Sequence, residues 1–588
     1  MTPALSLLVL LAGAAVATEP PLEAEQVRSV LAQEIERHQQ QLTLPDAPPL
    51  YNLRYHLYDL HQAQAQASFG SLVASEASPF LALGVEVRVG SPAFDNTGYG
   101  GWESGFGRLA LPERLTERAL RQGCWQLTDG TYKDAVEQYS RKSSAFTPPP
   151  DYPGDYQTVT TEPLVRLSMS GTYHHMEPAP EGWAEQLARA TSAGFPTDGS
   201  LELGSVIVAI ERGSHTIVDS EGTDLQLAHT EVVLRAMAHA RADDGALLSD
   251  HRSWILLGAG LPSEDELAAS AAELADDLIS WTQAPTLDEE YVGPVIFEDQ
   301  AAVDLFRTLL VSQLEGTPPP IPFEARFGAM GEGFSFADDS AGGGARLNRR
   351  VLPAGWSAQD SPMALPQPPP AVFMPIDMEG TSSPSPVRLV QDGIVRTLLM
   401  SRTPRKDIPS GTNGHARGSL GSRPAGRVAQ LEVTPGKRVS ERKLRKQALE
   451  LAAAYGHDHV ILVRRFQDDT VRAQDRADGG GFSFMGDEGS RLPVPLALYR
   501  VYADGREEPL RGAAFTKVDR WVLRDIVAAG EQVEGRYLAP FEPGGMSYSP
   551  IVGMPTTLSV PSVLVEELEL VPVSADPRSK PAVPAPTQ

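Results

Sequence analysis

The chain has 588 residues, 41% hydrophobic and 21% charged, with a formal net charge of -26. One hydrophobic core stops growing near roughly 250–300 residues, so two large domains are expected. The composition excludes bulk disorder, and the acidic balance excludes nucleic acid and anionic membrane surfaces as partners, because phosphate neutralisation needs clustered Lys and Arg.

At the N-terminus, Leu5-Ser6-Leu7-Leu8-Val9-Leu10-Leu11 is followed by Ala15-Val16-Ala17, an apolar run and a small-residue cleavage pattern. Residues 1–17 therefore read as a secretory signal peptide, although its first residues carry no Lys or Arg, and the mature protein is expected to be extracytoplasmic, periplasmic or secreted. The run is too short to cross a bilayer, which takes about 20 apolar residues, and no membrane insertion is expected. Leu22–Leu42 reads as a polar-faced helix ending before Pro45, and Tyr51–Ala77 mixes strand and turn signals. In Phe80–Val89, Val85, Val87 and Val89 alternate with Glu86 and Arg88, the pattern of a half-buried strand. The only cysteine, Cys124, excludes an intrachain disulfide and a Cys-rich zinc site, and with no nucleophilic partner evident it reads as a buried structural thiol. Pro148–Pro153 is a bend or linker, and 154–170 is looser.

Val206–Ile210, Arg212-Gly213-Ser214 and His215–Val218 read as strand, turn and returning strand. Leu261–Trp281 is the clearest helix: Ser263 and Glu266 make a capping box, and Leu267, Ala271, Leu274, Leu278 and Trp281 form one stripe. This closes an N-terminal α+β domain, 18–285. The second half, 286–573, is strand-rich. Arg388–Leu399 carries Asp392-Gly393 as a hairpin turn, and Asp504-Gly505 joins Leu496–Tyr502 to Pro509–Thr516. Between them, Ser440 caps the helix Glu441–Tyr455, which stops at Gly456, and a strand follows over His459–Val463. Pro318–Pro322, Pro366–Pro370, Gly342–Gly344 and Gly479–Gly481 are loops, and 574–588 is a disordered Pro/Ala/Ser tail. The expected class is α+β, with a β-rich, barrel-like C-terminal domain.

Several strings carry a family likeness. Val218-Asp219-Ser220-Glu221-Gly222, Ile376-Asp377-Met378-Glu379-Gly380-Thr381, Ser401-Arg402-Thr403-Pro404, Asn413-Gly414-His415-Ala416-Arg417, Arg511-Gly512-Ala513 and Pro561–Glu569 follow one another in order. Together they resemble the TldD/PmbA (modulator of DNA gyrase) metallopeptidases. The resemblance implies a zinc site built on H-E-x-x-x-H, with two His ligands, a Glu general base and a third protein ligand near the C-terminus. Such members work as pairs, one subunit holding zinc and one lacking it, on extended peptides. In relatives an L-E-G turn follows the motif. Counting back from Leu314-Glu315-Gly316 puts Arg307 and Ser312 where the histidines would stand, and Thr308 at the glutamate. A guanidinium stays protonated and offers no lone pair to a metal. None of the 12 histidines forms an i,i+4 pair, and the Gly544-Gly545-Met546-Ser547 region lacks a Cys ligand.

No metal and no cofactor are therefore expected. The chain reads as a non-catalytic homologue that binds an extended peptide by strand addition. It would act as a homodimer or as the partner of a TldD-like zinc peptidase. Asp377, Glu379, Asn413 and His415 are the candidate substrate-binding residues. Asp377 and Glu379, two apart on a strand, would share a face and could do acid–base work, though such a pair is more commonly a solvated turn or an ion-pair partner. Two alternatives stay open: an active peptidase whose metal site is rebuilt from Asp377, Glu379 and His415, and an extracytoplasmic scaffold or binding protein reusing the fold.

Overall fold

The computed structural model describes residues 20–573 apart from 101–104, 159–166, 169–179, 258–261, 319, 322–346, 363–375, 383–385, 409, 419–422, 468–491, 517 and 540–552. The expected signal peptide and tail, the Gly342–Gly344, Gly479–Gly481 and Pro366–Pro370 loops and the 544–547 region lie outside the described residues.

The first half begins with helix α1 (Ala24–Gln41) and continues into a sheet of eight strands: β1 (Leu50–Ser68), β2 (Ser71–Ser91), β3 (Phe94–Asp95), β4 (Phe106–Ala110), β5 (Leu167–Ser168), β6 (Leu203–Asp219), β7 (Asp224–Arg241) and β8 (Leu247–Leu257). Its central order is β3-β2-β1-β6-β7-β5, with β4 on β2 and β8 on β7. Helices α2 (Glu117–Ala145), α3 (Pro180–Ser192) and α4 (Glu264–Thr282) join α1. Odd-numbered β1 residues face these helices. Leu53, Tyr55 and Leu57 pack with Val27, Leu31 and Leu120, while Ala63, Ala65 and Ala67 pack with Leu187, Leu267 and Leu274. Cys124 is buried in the α1–α2 layer, and that burial pushes its thiol well up.

Sequence and structure part in three places here. The mixed signals of 51–77 belong to a long hairpin whose turn is Phe69-Gly70, both at positive φ. Phe80–Val89 is covered on both faces rather than half-buried, with Glu86 and Arg88 at 0% exposure. The expected turn at Arg212–Ser214 is absent, and β6 runs straight through it, paired to β1 from Ser205 to Asp219. Gly213 is there for proximity: a Cβ would lie 2.0 Å from the Asp59 carbonyl oxygen of the neighbouring strand. By contrast α4 starts as expected. The Ser263 hydroxyl accepts from the Glu266 N–H, and Glu266 accepts from the Ser263 N–H. Ser263→Ala is expected to cost about 1 kcal/mol in a urea-unfolding measurement; no change would mean that the box is not formed.

The second half comprises β9 (Tyr291–Phe297), α5 (Asp299–Leu309), β10 (Ser357–Asp360), β11 (Val387–Gln391), β12 (Ile394–Val395), β13 (Ala416–Arg417), β14 (Ala425–Gly426), β15 (Gln430–Thr434), α6 (Glu441–Ala454), β16 (His459–Phe466), β17 (Pro495–Tyr502), β18 (Glu507–Leu510), β19 (Ala513–Phe515), β20 (Ile526–Ala539) and β21 (Met554–Pro572). Apart from the β13–β14 pair, these strands form one sheet of order β12-β11-β10-β15-β21-β9-β16-β17-β18. The α+β class holds. The barrel-like shape does not, because this path is open among the described residues. The nineteen-residue β21 is shared by β15, β9, β19 and β20 at different points along its length, so the sheet branches instead of curling shut. Asp392 and Gly393, both at positive φ, make the expected hairpin turn, but its second strand stops at Val395. No helix among the described residues is long and apolar enough to cross a membrane.

Candidate functional site between the two sheets

Even-numbered residues at the start of β1 form a polar face. Asn52, Arg54 and His56 alternate with Leu53, Tyr55 and Leu57, and across the strands Asn52 faces Arg88, while Arg54 faces Glu86 and Asp219. In water such a face needs no partner. Here it is covered by the second half, and each charge must be paired. Arg54 lies 2.9 Å from Asp219 and 3.2 Å from Glu86, and donates to the Tyr156 hydroxyl at 3.2 Å. Arg88 holds Glu86 at 2.9 Å and Asp95 at 3.0 Å. From the other half, Arg423 reaches Glu86 at 3.0 Å. Burial alone would raise the Glu86 pKa, but Arg88, Arg423 and Arg54 together hold it well below the usual carboxylate range.

Tyr156 is the hub. The Arg88 guanidinium sits 3.9 Å from its ring centroid and that of Arg402 4.1 Å. Arg402 crosses from the second half: its guanidinium pairs with Glu221 and donates to the Gln157 carbonyl at 2.9 Å, while its backbone N–H donates to Glu379 at 2.6 Å. Gln157 returns the contact, donating its N–H to the Arg402 carbonyl at 2.7 Å.

Of the four residues expected to bind substrate, Asp377, Glu379, Asn413 and His415 do come together, and the side chains of three are occupied internally. Asp377 accepts from the N–H groups of Glu379, Thr381 and Ala416. Asn413 bridges the Met400 N–H and the Leu398 carbonyl. His415 is fully buried, with Nδ1 2.9 Å from the Asn413 carbonyl and Nε2 3.2 Å from Asp360. Glu379 differs. One carboxyl oxygen takes the Arg402 N–H, while Oε1 is buried with no hydrogen-bond partner among the described residues. Burial, and then the Asp377 charge, raise its pKa to about 7 against the pull of Arg54, Arg402 and Arg88.

Arg307, Thr308 and Ser312, the residues expected at the motif positions, lie at and just after the end of α5. Arg307 is in its last turn, 3.2 Å from Asp304, with its guanidinium 5.6 Å from the Tyr537 ring centroid. Thr308 follows, and Ser312 sits in the separate 3-10 turn Val311–Gln313. A tied guanidinium and two hydroxyls do not fit zinc, and no three His, Cys, Asp or Glu side chains among the described residues are grouped to hold a metal.

Sequence reasoning missed Arg54, Glu86, Arg88 and Tyr156. The alternation of charge with apolar residues in β1 and β2 was visible, but it signals a solvated face as readily as a buried one. Arg402, Asp219 and Glu221 lie in strings that carried the family likeness, without assigned roles.

Residues 290–571 match the family model described as the PmbA/TldA metallopeptidase C-terminal domain. No curated protein sequence matches the chain. Among solved structures it is similar to a proposed modulator of a DNA gyrase from Thermotoga maritima, with a TM-score of 0.54, 14% identity and coverage of 92% of this chain and 99% of that one. TldE from Thermococcus kodakarensis also gives a TM-score of 0.54, at 12% identity over 92% of this chain and 100% of that one. A proposed modulator of DNA gyrase from Bacteroides thetaiotaomicron is equally similar, with TM-score 0.54 and 12% identity over 94% of this chain and 100% of that one.

Proposed function

Since the chain belongs to the TldD/PmbA metallopeptidase-related family, we propose that it is a member without peptidase chemistry, a peptide-binding partner subunit of a proteolytic assembly. The observation that carries this reading is Arg307. The count back from Leu314-Glu315-Gly316 puts it at the first metal-ligand position, and it is bound to Asp304 and laid over Tyr537, which supports the absence of a vacant lone pair or base there. Thr308 at the general-base position has no group that accepts a proton near neutral pH. The bound species is an extended peptide held through its main chain, and the partner is a zinc-carrying homologue or a second copy. The Leu5–Leu11 run with Ala15-Val16-Ala17 supports an extracytoplasmic setting.

The rival reading, a metal site rebuilt from Asp377, Glu379 and His415, is disfavoured by the bonds that already occupy Asp377 and both nitrogens of His415. Metal analysis of the purified mature protein, run with size-exclusion mass and a peptidase assay, tests the proposal. Substoichiometric zinc and no chelator-sensitive cleavage are expected. Stoichiometric zinc with cleavage that a chelator stops would overturn it, as would a monomer that binds neither peptide nor homologue.

A further inference from the structure

The Pro148–Pro153 bend turns the chain back onto the end of α2 and brings a lysine and an aspartate together there. Lys142, in the last turn of α2, is at 0% exposure. Its Nζ lies 2.7 Å from Asp155 Oδ2 and donates to the Thr97 carbonyl at 2.7 Å. Asp155 is buried too; its Oδ1 accepts from the Tyr152 hydroxyl, and its Oδ2 from the Asp95 N–H at 2.7 Å. Aromatic rings border the pair. Nζ sits 4.7 Å from the Phe94 ring centroid, Phe94 meets Tyr139 edge-on at 5.5 Å, and Phe146 meets Tyr152 edge-on at 5.5 Å.

A second carboxylate stands beside them. Asp95 is held by Arg88, Tyr51 and Thr97, which keep its pKa below the ordinary value. Burial, and then that Asp95 charge, raise the Asp155 pKa against the pull of Lys142. An ammonium and a carboxylate in such surroundings are both penalised as ions. Passing one proton across the 2.7 Å contact leaves an amine against a carboxylic acid, a nucleophile fixed at its electrophile. The Tyr152 hydroxyl is then placed to stabilise negative charge growing on Oδ1.

We propose that Lys142 and Asp155 condense to form an intramolecular isopeptide bond. The Nζ–Cγ bond forms and the Cγ–Oδ2 bond breaks. Oδ2 leaves as water, carrying the carboxyl proton and one amine proton, and no oxidant or other reactant is consumed. The product keeps its hydrogen bonds: the remaining Nζ–H donates to the Thr97 carbonyl, while Oδ1 accepts from Tyr152 and takes over the Asp95 N–H. Two buried charges become one neutral amide. With a single cysteine the chain has no intrachain disulfide, and this bond ties α2 to the residue before Tyr156, the hub between the halves.

The test is mass spectrometry of the full purified chain after denaturation and trypsin digestion. Trypsin does not cut after an acylated lysine, so the joined protein should yield peptide 142–166 at one water below its sequence mass. Lys142→Arg, which keeps the ion pair, and Asp155→Ala should both release 143–166 at full mass. Tyr152→Phe, freshly folded, should join at least about tenfold more slowly; an equal rate would overturn the role given to that hydroxyl. An unmodified 143–166 peptide from the wild type would overturn the bond and leave a buried ion pair. Loss of water with Lys142 still cut would overturn it as well, because that marks a cyclised aspartate instead of a cross-link.

Discussion

Arg54→Met is expected to destabilise the protein by about 3–5 kcal/mol, the range for removing one partner of a buried ion pair. The residue is at 0% exposure and holds Asp219, Glu86 and the Tyr156 hydroxyl at once. Methionine fills much of the volume, so the cost lies in the charges left behind. Glu86 keeps Arg88 and Arg423, and Asp219 keeps the Thr223 hydroxyl and the N–H groups of Glu221 and Thr223, which places the effect toward the lower end. The pH dependence has a definite sign. Burial would raise both carboxylates, but their partners depress them, so their stabilising contribution is present above the ordinary carboxylate pKa and lost as pH falls through the folded value. The variant should therefore lose less stability on acidification than the wild type. Urea unfolding at several pH values measures both effects. A loss below about 1 kcal/mol at pH 7 would mean that the network is solvated rather than buried.

Glu379→Gln should act in the opposite direction. Folding raises this carboxyl from 4.5 to about 7, with burial as the largest cause and Asp377 the next. A group raised on folding favours the native state while protonated, and that contribution drains away as pH climbs from the unfolded to the folded value. Wild-type stability should thus fall between about pH 4.5 and 7, by ~3 kcal/mol at 1.4 kcal/mol per unit. Glutamine is always neutral, keeps the acceptor for the Arg402 N–H, and should flatten this limb, leaving the variant the more stable protein at pH 8. If instead the variant is the less stable at pH 8, the ionised carboxylate is held by Arg54, Arg402 and Arg88 more strongly than burial opposes it.

These two expectations concern side chains whose importance the primary structure conveys unevenly. Asp377 and Glu379 could be singled out because an acidic pair two residues apart has a recognisable chemistry. Arg54 and Arg88 could not, since each is an ordinary charged residue in an alternating strand. Asn413 and His415 stand in one of the strings that carry the family likeness, and their side chains serve to hold their own loop: one ties Met400 to Leu398 and the other leans on Asp360. The 206–218 segment misled because Gly213 is a common turn residue, and nothing local announces that its missing Cβ makes room for the Asp59 carbonyl.

Local chemistry was enough for the α4 capping box, the Asp392-Gly393 turn and the α+β class, because each depends on residues close together in the chain. The open, branched second sheet and the buried arginine network needed the tertiary structure. Whether a charge lies in water or beneath another layer is decided by segments hundreds of residues away, as when Arg423 reaches Glu86 of β2 and Arg402 lies on the Tyr156 ring. Burial turns an unremarkable polar stripe into an interface where every unpaired atom has a cost.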